Sequence, residues 1–196
     1  MKLQRIISYL CLAACALVFI YSLGLATDVY FLYSLESLDG IVIPGADMFY
    51  KLQPFNKELT AAGLVILIIS VLSLVFNNHT RRKYYFANYL TVAVSSVANV
   101  FVGVWSLINV LEYKRLFLNI EFEAISAIKD SVPPSVLLNK GVDPENLAGP
   151  YSTFWFDAVW FVSAVLLIAT LLNIANAVFK TVLMSKEKQL LMEGEN

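Results

Sequence analysis

The chain has 196 residues, 59% of them hydrophobic and only 15% charged, with a mean hydropathy of +0.69. Soluble domains carry about 45–50% apolar and about 25% charged residues, so this composition belongs to a membrane protein. A net charge of −1 offers no electrostatic footprint for nucleic acid or for an acidic substrate.

The apolar residues gather in four blocks, at about 6–27, 59–77, 84–111 and 153–179. A helix rises about 1.5 Å per residue and the hydrocarbon core is about 30 Å thick, so roughly 20 apolar residues make one crossing. The blocks are continuous runs rather than short alternating segments, which predicts helices and not a spanning barrel. The expected fold is therefore all-α: one polytopic membrane domain over 1–196, with four transmembrane helices arranged as two hairpins.

Lys2 and Arg5 precede the first block, which ends near Gly24-Leu25-Ala26. That order resembles a secretory signal with a small-residue cleavage site, and Leu12-Ala13-Ala14-Cys15 resembles a lipoprotein box. The apolar run continues well past Cys15, so an uncleaved spanning helix is expected. Cys11 and Cys15 are the only cysteines. Four apart on one helical face, they read as small packing residues without a disulfide.

The first outer loop is expected over about 28–58. It opens on Tyr30, Phe31 and Tyr33, and two turn signals, Asp39-Gly40 and Pro44-Gly45, flank the run from Ile41 to Ile43. Met48, Phe49 and Phe55 follow. So apolar a loop calls for a membrane surface or a protein partner.

Arg81-Arg82-Lys83 forms a tight basic turn between the second and third blocks. Short basic loops stay on the cytoplasmic side, which places both termini there and both long loops outside. Eight cations then stand against three acids inside, and six against twelve outside. The sequon Asn78-His79-Thr80 falls on the cytoplasmic side, where glycosylation is not expected.

The third block carries Thr91, Ser95, Asn99, Gly103 and Ser106 at steps of three or four, with Asn109 nearby. Small and hydrogen-bonding residues on one face let helices approach closely in lipid. The fourth block has a weaker version in Asn173 and Asn176. Packing is the favoured reading of these residues, and a polar path for an ion or small solute is the alternative.

The second outer loop is expected over about 112–152. Residues 113–129 fit either a helical extension, with Phe117 on one face, or a strand with Phe122 in its alternation. The helix is favoured, because the segment leaves a spanning helix without Gly or Pro, and Pro133-Pro134 would end it. Asp157 lies about one turn inside the fourth block among Trp155, Phe156 and Trp160. At that height it is expected to pair with Lys114 or Arg115, with Glu112 close by; a site for a lipid headgroup or polar ligand is the alternative. The tail from Lys180 to Asn196 should continue the fourth helix into the cytoplasm and fray at Gly194.

His79 is the only histidine, so neither a histidine metal cluster nor a Ser-His-Asp set has its parts. No cofactor is implied. The cysteines and motifs of tetraspanin-like or claudin-like four-helix proteins are missing, so no family's residues transfer to this chain. What remains is a non-catalytic membrane subunit that assembles with itself or with a larger membrane complex. Ile41, Ile43, Met48, Phe49, Phe55, Phe117 and Phe122 are its expected partner contacts. A small transporter, channel or lipid-binding protein is the second reading. The compact plan fits a bacterial cytoplasmic membrane.

Overall fold

In the computed structural model of the chain, the described residues are 2–36, 45, 47–78, 85–120, 133–139 and 152–193. All of their regular structure is helical: α1 (Lys2–Glu36), α2 (Met48–Asn78), α3 (Tyr85–Leu118), the short α4 (Pro134–Asn139) and α5 (Phe154–Glu193). Four of these are long and apolar enough to cross a membrane, over Arg5–Ala26, Met48–Phe76, Phe86–Leu118 and Phe154–Val182. Between 28% and 39% of each span is buried within the protein. Most of each span therefore presents apolar side chains outward, as a lipid-facing helix must.

The helices are longer than the apolar blocks. α1 continues through the Tyr30, Phe31 and Tyr33 cluster to Glu36, and α2 already begins at Met48. The first connection thus shrinks to 37–47, a correction to the loop expected over 28–58. The reason lies in a second periodicity. Met48, Phe49, Leu52, Phe55 and Leu59 are buried at steps of three and four, while Lys51, Lys57 and Glu58 are exposed. An apolar-run criterion passes over such an amphipathic turn. Gly45 opens it in the left-handed region (φ 86°), and its carbonyl accepts from the Met48 N–H at 3.3 Å.

α3 stops at Leu118, not at Pro133-Pro134. The chain turns as Asn119 and Ile120 donate their N–H groups back to Leu116 and Phe117. Residues 113–118 are helix, and 121–132 lie outside the described residues, as do Ile41, Ile43, Phe122 and the Arg81-Arg82-Lys83 turn. Pro134 opens a helix rather than ending one, since its fixed φ and missing N–H suit a first helical position.

The chain divides into two compact units. The first takes Met1–Phe19, Ala62–Val104 and Val162–Asn196, and the second Ile20–Ala61 and Trp105–Phe161. Their interiors differ in chemistry. Among the described residues, eleven of the fourteen buried polar ones belong to the first unit, from Ser8 and Ser70 to Asn173 and Asn176. The second unit has an interior of Leu25, Met48, Phe49, Leu52, Val110 and Phe156. There Phe55 stacks at a tilt on Trp105 and Tyr113, and Phe117 on Phe156, with centroids 5.0–5.3 Å apart.

Candidate functional site

The polar interior of the first unit is built on the buried face of α3. Asn88, Val92, Ser95, Asn99 and Val102 recur there at helical spacing and all are buried. Asn99 is 2% exposed and uses both ends of its amide. Its Nδ2 donates to Thr170 Oγ1 on α5 at 3.1 Å, and its Oδ1 accepts from the Cys15 thiol on α1 at 3.7 Å. The Thr170 hydroxyl donates in turn to the Leu166 carbonyl at 2.8 Å. One polar cluster therefore joins α1, α3 and α5.

Two further bonds run beside it. The Cys11 thiol donates to the Ala169 carbonyl at 3.0 Å, and Ser163 donates to the Gly103 carbonyl at 3.2 Å. Both reach the backbone of a neighbouring helix, satisfying in lipid a second lone pair that water would otherwise occupy.

The other residues of the expected stripe are placed differently. Thr91 is half-buried and donates to the Asn88 carbonyl at 3.0 Å, within its own helix. Asn109 is half-buried too, and its amide donates to the Trp105 carbonyl one turn back at 2.7 Å. Ser106, Asn173 and Asn176 are buried. Gly103 is buried but not squeezed: a Cβ there would stand 3.5 Å from Leu166, an ordinary contact. The close backbone approach is at Gly63 instead, where a Cβ would meet the Phe19 Cα at 3.1 Å.

Cys15 and Thr170 were not foreseen as members of this group, nor was Asn88 as a residue of its face. For Thr170 the signal was its step of three before Asn173; for Asn88, its step of seven before Ser95. Asn88 is 3% exposed and its Oδ1 has no hydrogen-bond partner.

In the second unit, Asp157 accepts from Lys114 and, at 2.7 Å, from Thr153. The pair is not deeply shielded, with the Lys114 and Asp157 side chains 26% and 49% exposed. Glu112 and Arg115, close to Lys114 in the chain, are exposed. The start of α5 is also capped, since Ser152 Oγ accepts from the Phe154 N–H at 3.1 Å. At the start of α2, Lys51 bonds to Asp47 at 2.7 Å and receives the Tyr113 hydroxyl on its carbonyl at 3.0 Å. Lys51 holds the Asp47 carboxyl below its ordinary range, chiefly through that hydrogen bond.

Met48, Phe49, Phe55 and Phe117 were expected to face a partner. All four are buried in the chain's own interior, so their apolar surface is already covered. Their place is the core.

Comparison with known proteins finds no counterpart: no family model matches the chain, and neither does any curated protein or solved structure.

Proposed function

We propose that this chain is a non-catalytic integral membrane subunit that assembles with itself or with a larger membrane complex. The observation that supports it is the engagement of Asn99. Its amide is consumed by Cys15 and Thr170, and Thr170 is consumed in turn by Leu166. A polar group so used holds helices together instead of meeting a substrate. Function then falls to the surfaces. Phe101 and Ile108 on α3 and Phe161, Ile168 and Leu171 on α5 are all largely exposed and apolar. They replace Met48, Phe49, Phe55 and Phe117 as contact candidates.

Both termini are cytoplasmic in this reading, and the membrane is a bacterial cytoplasmic one. The basic turn at 81–83 is the ground for the orientation. Thiol labelling of intact cells tests it: Ser185→Cys should be protected from an impermeant reagent and Ser135→Cys should react.

Native mass measurement after mild-detergent purification tests the assembly. Dimers, higher oligomers or a co-purifying membrane protein are expected. A bare monomer at every detergent concentration would defeat the proposal.

A second reading, a small transporter or channel, draws on the polar interior of the first unit and on the orphan Oδ1 of Asn88. It requires that alanine at Asn99, Asn109, Asn173 or Asn176 abolish solute flux in vesicles without loss of folding. Variants that lose only stability would mark these residues as packing elements.

A further inference from the structure

Two helices of the second unit each have a weak turn, and one side chain joins the two turns. In α2 the weakness is Pro54, which lies inside the helix and has no N–H for the Tyr50 carbonyl four residues back. The next carbonyl, that of Lys51, takes a donor from outside α2: the Tyr113 hydroxyl of α3 reaches it at 3.0 Å. Neighbouring helices satisfy in this way the backbone that a proline loosens in a membrane helix. Just beyond, the Thr60 hydroxyl donates to the Asn56 carbonyl at 2.9 Å, a back-bond that favours bending.

In α1 the weakness is a rung of the helical ladder. The side-chain amide of Asn56 lies across it: Nδ2 donates to the Ser22 carbonyl and Oδ1 accepts from the Ala26 N–H, both at 3.1 Å. Those two groups are the ends of one i to i−4 bond, so the amide competes with the helix for each of them. Gly24 falls inside the same turn, and the Trp155 ring packs so closely on it that a Cβ would have no room. A proline, and a side chain inserted into the ladder, are both recognised causes of a bend in a helix. Asn56 is two residues from the first and makes the second. At 6% exposed, it is a buried tie between them.

Residues 27–36 of α1 and 48–53 of α2 lie on the far side of these turns. The α1 segment is already past the end of its candidate span, Arg5–Ala26. The α2 segment buries Met48, Phe49 and Leu52, each no more than 2% exposed.

We propose that residues 27–36 and 48–53 form one hinged element that pivots about Asn56, is latched by Tyr113, and on opening bares Met48, Phe49 and Leu52. The two segments move together because one amide binds both weak turns. The hinge requires no partner, so it stands apart from the subunit reading above.

Hydrogen–deuterium exchange read by mass spectrometry, on the full-length protein in mixed micelles, tests the hinge. Tyr113→Phe keeps the ring that packs on Phe55 and removes only the latch. Exchange over 49–53 should quicken about two- to tenfold, the range that one ordinary hydrogen bond gives. Residues 27–36 should quicken with them, although the Tyr113 hydroxyl reaches α2, and residues 62–76 should not change. Pro54→Ala restores the missing donor and should slow both segments by a similar factor. Quickening of 49–53 alone would overturn the hinge, because α2 would then merely fray. So would unchanged rates in both segments for either variant, or equal quickening across 62–76, which would mark a general loss of stability.

Discussion

Asn99 of α3 and Thr170 of α5 share a buried hydrogen bond of 3.1 Å, and Cys15 of α1 closes on the same amide. In lipid there is no hydrophobic force between helices, so contacts of this kind and close packing hold them together. A double-mutant cycle of Asn99→Leu and Thr170→Val should give a coupling of about 0.6 to 1.7 kcal/mol. Unfolding in mixed micelles is the measurement. Additive effects would mean that the bond does not hold α3 to α5.

Gly63 and Gly103, both in the first unit, should respond in opposite directions. Gly63→Ala brings a methyl within 3.1 Å of the Phe19 backbone, which cannot step aside as a side chain can. A loss of about 1–3 kcal/mol is expected. Gly103→Ala meets only the side chains of Leu166 and Leu167, at 3.5 Å and 3.7 Å, and should be neutral or stabilising by up to about 1 kcal/mol, because alanine favours the helix. Equal destabilisation at both positions would contradict this placement.

Phe117 is 3% exposed and packs on Phe156, and Phe55 on Trp105 and Tyr113. Alanine at either should cost about 3–5 kcal/mol, the usual penalty for an aromatic removed from a core. Thermal inactivation of the detergent-solubilised protein would report it. Unchanged stability together with a lost partner would instead return these residues to the surface.

The Lys114–Asp157 pair is partly exposed, so screening keeps its value low. Lys114→Met should cost no more than about 1 kcal/mol, and less in high salt. Lys114→Asp with Asp157→Lys should recover part of the loss of either single change. The recovery stays partial, because Thr153 also donates to the native carboxylate. No recovery at all would favour a ligand-holding role for Asp157.

Asp47 offers a pH test outside the spans. Its folded pKa lies below its ordinary value, so the Lys51 contact stabilises the fold above the usual aspartate range. That contribution is lost as pH falls through the depressed folded value. Carboxylate titration by NMR should show the depression, and Lys51→Met should abolish it.

Length and composition determined the four crossings. Leaving roughly 20 apolar residues in water is so unfavourable that the bilayer assignment needs no tertiary information. The periodic stripe of Ser95 and Asn99 was legible for the same reason: one face of a lipid-embedded helix must hide its polar groups. Tertiary structure decided which groups meet. Nothing local distinguishes Gly63, pressed on Phe19, from the relaxed Gly103, and nothing local marks Cys15 and Thr170 as the two partners of one amide. The turns around Met48 and Phe117 were misjudged because an apolar residue near an interface suits a partner, a membrane surface or a core equally well. Only the neighbours that Phe156, Trp105 and Tyr113 supply, from elsewhere in the chain, choose among them.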